Sequence, residues 1–500
     1  MSKKMLFYVG LVMIIANMLY QEYWGLNTLI ISIVFVIITA INRIYEPLEN
    51  SSISWKWWFA TLLFITNGLA VFLINTSLSN FVYFLSFLFY VGVHNEVKLS
   101  FPLGIVQSVQ SSFSGLYHFF ETLIERFQKK QTTKGSNKSF VRLLIYTVPL
   151  VIAIIFLKLY QNADPTFYEW TKFINLDWIS WGFIIFYFLI FLACYGLFFF
   201  NVNKEISSLE SNLENNISIN YTDKVENYMG IGNEQKIALS LLITLNLMLL
   251  LYNIIDFRFI FIDLPNPEPT LRYSDLLHGG VNSLIASIVL VIFIITFIYR
   301  GQLNFQGSKL IRSLALIWLI LNLLMVGTTV IKNYEYITHW GLTYKRIGVY
   351  VYLLLAASGL IFTFIKILRV KSIWFLIRNV SLTFFTCFTL IGLVNWDKLI
   401  VNYNLTQVES GHIDFYYLMS LGDETYPDLM YYYNDHKHEP EITNDPDLWH
   451  RLFEHFDSTR NYLRTKKQNT TWRSLNIREK ELLERMNKFN LIYTPKYNRL

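Results

Sequence analysis

Apolar residues in this chain come in long blocks, not in the alternation expected of a chain with one face in water. A membrane helix needs about 20 mostly apolar residues. On that ruler the pattern predicts spans near 5–21, 26–42, 57–76, 79–94, 140–160, 178–201, 236–259, 276–299, 309–331, 347–369 and 373–396. The first and fourth are the shortest. Lys3 and Lys4 precede an apolar run without a small-residue cleavage site, which reads as a retained span. The fold class that follows is all-α: a polytopic transmembrane bundle of about eleven spans, followed by a small helical soluble domain over 397–500.

The connections carry the next layer of information. With the N-terminus inside, Lys and Arg on the inner connections outnumber those on the outer ones by roughly three to one, the bias of cytoplasmic loops. An odd number of spans then puts 397–500 on the far side. Within 95–139 lies a different pattern. Ile105, Val109, Phe113, Leu116, Phe120, Leu123 and Phe127 recur at helical spacing, while Gln107, Gln110, Ser111, Ser114, Glu121 and Arg126 occupy other faces. That stripe predicts an amphipathic helix over 101–128, lying at the cytoplasmic interface or packed on a partner. The chain thus divides into N-terminal spans (1–94), the amphipathic helix and basic loop (95–139), a transmembrane core (140–396) and the C-terminal domain. In the last, helical patterns run near 413–421, 447–465 and 477–489, with Asp445 or Asp447 as an N-cap signal.

Composition supports the same class: 53% hydrophobic and 16% charged is too apolar for an ordinary soluble enzyme. Cys194 and Cys387 both fall in apolar blocks and read as small buried hydrophobes. Polar residues inside spans are costly and therefore draw attention. Asn246, Asn253 and Asp256 share one face of the seventh span, and Asp275, His278 and Asn282 share a face of the eighth. Two readings stand. In one, Asp275 and His278 bind a cation or relay a proton, with Arg272 or Arg258 as counter-charge. In the other, the same groups only join helices, with Asp275 as a helix cap. The polar segment 332–346, with His339 and Arg346, is expected as an outer loop that covers the site as a lid or anchors at the interface. His436, His438, His450 and His455 match no close metal-ligand template, so no metal is assigned to them.

The chain has no Walker-type phosphate loop, no dinucleotide fingerprint, no GxSxG elbow and no CxxC. No catalytic residue and no cofactor are therefore called. Several strings nonetheless look familiar. Tyr273-Ser274-Asp275 through His278-Gly279-Gly280-Val281-Asn282-Ser283-Leu284-Ile285, then Tyr299-Arg300-Gly301-Gln302-Leu303-Asn304-Phe305, resemble blocks of a bacterial membrane family known as domain of unknown function 4173. Trp340-Gly341-Leu342-Thr343 with Lys345-Arg346 is similar to a segment shared with the related 4153 group. Asn402-Tyr403-Asn404, Asp414-Phe415-Tyr416-Tyr417-Leu418 and Leu421-Gly422-Asp423 resemble the family's usual end, and the extension beyond Tyr433 looks particular to this chain. The resemblance implies a multi-pass protein of the bacterial inner membrane and no particular activity. Three functions follow as expectations: envelope assembly, sensing or partner binding; secondary transport at the polar site; or an enzyme on a lipid-linked substrate. The partners expected are the bilayer and membrane or envelope proteins, with no nucleic acid.

Overall fold

A computed structural model of the protein describes residues 3–45, 54–96, 98–114, 117, 138–174, 181–198, 204–217, 230–263, 273–408, 413–436 and 447–493. The described residues form helices joined by short turns, with no strand among them. In chain order these are α1 (Lys3–Leu19), α2 (Leu26–Tyr45), α3 (Trp55–Leu73), α4 (Ser77–Asn95), α5 (101–114), α6 (Lys138–Ala163), α7 (Pro165–Thr171), α8 (Trp181–Phe198) and α9 (Lys204–Asn212). There follow α10 (Ile231–Arg258), α11 (Tyr273–Ile298), α12 (Leu303–Gln306), α13 (Lys309–Trp340), α14 (Tyr344–Leu368) and α15 (Ile373–Gly392). The chain closes with α16 (Trp396–Gln407), α17 (Phe415–Met419), α18 (Tyr426–His436), α19 (Leu448–Asn469) and α20 (Ile477–Tyr493). A helix occupies every segment expected to span. Among the described residues six, namely α3, α4, α10, α13, α14 and α15, are long and apolar enough to cross a membrane.

Local chemistry sets the breaks. Thr76 and Ser79 form a capping box that starts α4, and Ser308, Thr343 and Ser372 accept the third backbone N–H of α13, α14 and α15. The helices then pack neighbour on neighbour in the order α8, α1, α2, α3, α4, α15, α14, α13, α10, with α11 against α14 and α13. One apolar cluster fills the N-terminal helices around Phe64 and Tyr90, and another fills α10, α11, α13 and α14 around Leu319 and Leu360. Cys194 and Cys387 are buried and free, as small hydrophobes would be. At one end of the bundle Glu210 of α9 accepts from the backbone N–H and hydroxyl of Ser100 (3.1 and 2.8 Å) and pairs with Arg378 at 2.5 Å. That carboxylate ties the N-terminal helices to α15.

One expectation changes. Residues 332–340 are the last turns of α13, so the connection to α14 is only the turn at Gly341–Thr343 and no covering loop exists there. The intrahelical hydrogen bonds already satisfy the backbone of 332–340, which a loop would leave for water. The described part of the 101–128 helix is α5, and its burial shows which residues are covered. Gln107 and Ser111 are 1% exposed and Ser108 is fully buried, whereas Val106 and Phe113 are 51% and 71% exposed. Gln107, Ser108 and Ser111 are turned into the protein, where Ser108 donates to the Leu88 carbonyl at 2.6 Å, while Val106, Val109 and Phe113 point outward together with Gln110. That arrangement suits lipid on the outside. The remainder, 115–128 apart from Tyr117, lies outside the described residues.

The approach of α5 to α4 depends on glycine: a Cβ on Gly92 would overlap the Gly104 carbonyl. We expect Gly92→Leu to cost about 1–3 kcal/mol of stability by overpacking. Gly10→Leu, which meets nothing within 4 Å, should be neutral. Thermal unfolding in detergent distinguishes them, and equal effects would contradict this packing.

Candidate functional site

Three of the polar residues singled out by their spacing meet a partner that the spacing alone did not name. Asn246, Asn253 and Asp256 are buried on α10, on the face toward α13. Asn246 Nδ2 donates to the carbonyl of Leu242 in its own helix (2.7 Å) and to that of Leu314 on α13 (3.1 Å). Asn253 repeats this two turns later, with Leu249 (2.9 Å) and Leu321 (3.2 Å). The equal steps on both helices mean that α10 and α13 run parallel. Asp256 completes the row with an ion pair to Lys332 of α13.

Lys332 is the residue that sequence reading missed, because it was assigned to a loop. A signal was present. Asn322, Thr329 and Lys332 on α13 repeat the i, i+7, i+10 spacing of Asn246, Asn253 and Asp256 on α10, and each series ends on a charge of opposite sign. Asn322 and Thr329 are buried as well. Such a matched pair of stripes is what a parallel interhelical seam requires. The α10 polar face thus opposes α13. Arg272 lies outside the described residues, as do the side chains of Asp275, His278 and Asn282; their backbone is the start of α11.

His339 and Arg346 lie on α13 and α14 and not on a loop. His339 is exposed, with Nδ1 against the Glu335 carbonyl at 2.9 Å. The Arg346 guanidinium lies over the Tyr336 ring and donates to the Trp340 (2.6 Å) and Gly341 carbonyls. A cation there complements the carbonyl end of α13. In the C-terminal helices His436 stacks on Tyr432 and His455 on Tyr426, while His450 is exposed. His438 lies outside the described residues.

A second polar assembly joins the C-terminal helices to the bundle. Arg478 of α20 donates to Asp397 at 3.3 Å and Glu424 at 2.8 Å, and to the Ile74 carbonyl at 3.3 Å. Tyr344 donates its hydroxyl proton to Asp397 at 2.6 Å, and Asn395 donates to both oxygens of Glu424. Nearby, Arg473 pairs with Glu22 at 2.8 Å, and Asn476 donates to the carbonyls of Val71 and Phe72 (3.0 and 3.1 Å). Asn404 accepts from Leu342 N–H (2.6 Å) and donates to its carbonyl (2.9 Å). Gly341 sits at φ +79°, and a Cβ there would overlap Asn404 Oδ1, so glycine serves both conformation and space. Tyr344 N–H donates to the Tyr417 hydroxyl at 2.8 Å, and burial holds that hydroxyl above its ordinary pKa. Beside this junction an open groove of about 550 Å³ is lined by Asn395, Lys398, Asn402, Tyr432 and His436, among others.

Comparison with known proteins bears on this arrangement. A family model described as Domain of unknown function (DUF4153) matches residues 5–431. The chain belongs to that family. No curated protein and no solved structure matches it. The match ends within α18, so Arg473, Asn476 and Arg478, which clamp the junction, lie beyond it.

Removing one member of a buried ion pair strands the other charge. Lys332→Met should therefore destabilise the protein by about 3–5 kcal/mol, whereas Asp256→Asn with Lys332→Met should recover much of the loss. Thermal unfolding of the three variants in detergent measures this. A double variant no more stable than Lys332→Met would show that the two charges do not interact.

Proposed function

We propose that this protein is a multi-pass anchor that holds a C-terminal helical domain rigidly at one face of a bacterial inner membrane to bind an envelope partner. One observation carries the reading. The C-terminal helices are locked to the ends of α1, α3 and α14 through Glu22–Arg473, Asn476 and the Asp397–Arg478–Glu424 group. A domain on a flexible linker would need none of these contacts; one that presents a fixed surface would. In this reading all eleven apolar helices span, the N-terminus is cytoplasmic and the domain faces the periplasm or exterior. The excess of Lys and Arg on alternate connections supports that orientation, and the strings quoted above support a relation to the 4173 group.

The groove beside α16 and α18 is the natural docking place on such a platform. A photo-reactive amino acid at Asn402 or Tyr432 should cross-link a discrete envelope protein in living cells, while one at the outward-facing Leu354 should give only lipid adducts. No protein adduct from either groove position would defeat the reading. A topology reporter fused after Trp396 should report the far side of the membrane; a cytoplasmic signal would contradict the odd span count. Arg478→Met should also loosen the domain, seen as faster trypsin cleavage between α16 and α20 with the bundle intact.

A second reading, movement of a solute or ion through the bundle, draws on one observation, the Asp256–Lys332 ion pair within two long apolar helices. Ionisable groups on membrane-crossing helices commonly mark a pathway.

A further inference from the structure

Between α19 and α20 runs a short strap, 470–476, whose polarity is inside out. Arg473 pairs with Glu22 at 2.8 Å, the Ser474 hydroxyl donates to the same carboxylate, and Asn476 donates to the Val71 and Phe72 carbonyls. The polar side chains thus turn to the bundle. The apolar ones turn away: Trp472 is 60% exposed and Leu475 41%. A segment facing water would do the reverse. Most of α19 and α20 obeys the aqueous rule, with Leu452, Phe456 and Met486 buried and Glu454, Arg464 and Glu484 exposed.

Position says what lies outside the strap. The Leu475 carbonyl accepts from the N–H of Leu26, the first residue of α2, at 2.9 Å, and a Cβ on Gly25 would overlap it. Val71 and Phe72 lie in the last turn of α3, which is long and apolar enough to cross a membrane. Trp472 and Leu475 therefore stand at the level where apolar helices end, which in a bilayer is the headgroup layer. Tyr23 and Tyr462, 51% and 53% exposed, join them at the same turn, and the Lys466 ammonium lies 4.4 Å from the Tyr23 ring centre. Trp and Tyr favour that layer, where the ring meets lipid and the polar tip meets water. The nearby cations are spent inside the protein, Arg473 on Glu22 and Lys466 on Glu479 at 2.5 Å. We propose that Trp472 and Leu475, beside Tyr23 and Tyr462, seat this edge of the C-terminal helices in the headgroup layer of the bilayer. The strap lies beyond the residues that the family model matches, so the seat is built on the C-terminal segment. It rests on one part of the anchor reading, that the apolar helices cross a bilayer, and needs neither a protein partner nor a particular side.

Spin labels on single introduced cysteines test it, in the full chain reconstituted into vesicles of phosphatidylethanolamine and phosphatidylglycerol. Oxygen concentrates in the bilayer and a nickel chelate stays in water, so the ratio of their collision rates with the label reads depth. The unsubstituted chain supplies the background from the buried Cys194 and Cys387. Trp472→Cys and Leu475→Cys should give an oxygen-to-nickel ratio several-fold above that of Glu454→Cys and below that of Leu354→Cys, a position 58% exposed on α14. Strap ratios equal to that of Glu454→Cys, with Leu354→Cys lipid-like, overturn this proposal alone. A water-like Leu354→Cys overturns the membrane crossing and the seat together. Protection of the strap from both reagents would mean that a second copy of the chain covers it, and also refutes a lipid seat. If Trp472→Cys does not fold, Leu475→Cys decides alone. Vesicles of neutral phosphatidylcholine should give the same ratios; a strap ratio that falls there to the Glu454→Cys value would make the contact electrostatic and overturn seating by apolar rings.

Discussion

Hydrocarbon offers no hydrogen-bond partner, and most of this architecture follows from that constraint. It forces the apolar segments into helices, whose backbone groups are satisfied internally. It also requires each polar side chain on a buried helix face to find its partner in the protein. Asn246 and Asn253 reach across to carbonyls of α13, and Asp256 meets Lys332. The outward surface shows the complementary rule. On α5 Val106, Val109 and Phe113 face out, with Gln110 as a polar exception, while Gln107, Ser108 and Ser111 are turned inward.

At the junction the same constraint takes a different form. Asp397 and Glu424 are largely withdrawn from water, and two neighbouring carboxylates repel unless a cation stands between them. Arg478 fills that place, with Tyr344 and Asn395 supplying further donors. The third apolar cluster crosses the same boundary: Ile337 of α13, Leu342 of the turn and Ile347 of α14 pack with Ile400, Leu418 and Met430 of the C-terminal helices. Apolar burial brings the two parts together without direction; the paired charges fix their register. The C-terminal helices and the bundle therefore share one packed boundary.

The helical class and the position of the long segments were legible because a membrane segment announces itself by length and apolarity alone. The polar face of α10 was legible for a related reason, since i, i+7, i+10 spacing places residues on one side of a helix whatever surrounds it. Its partner was less so. Lys332 lies in Lys-Asn-Tyr-Glu-Tyr, a run polar enough to read as a loop, and only the continued hydrogen bonding of α13 makes it helical. The 101–128 stripe showed that the helix has two faces but not which one is covered, because a membrane reverses the usual rule that the apolar face points inward.

By itself, then, the chain determined its all-helical class, the segments that become long apolar helices, and the residues that share a helix face. These depend on local spacing and on transfer of apolar surface, both written in consecutive residues. Tertiary structure decided which helix opposes which, and hence that Asp256 pairs with Lys332. It decided that Arg346 meets the carbonyl end of α13, and that Arg473 and Arg478 clamp helices some 400 residues earlier in the chain. Those pairings depend on how helices are arranged in space, and the charge of a residue does not say which distant carboxylate it will meet.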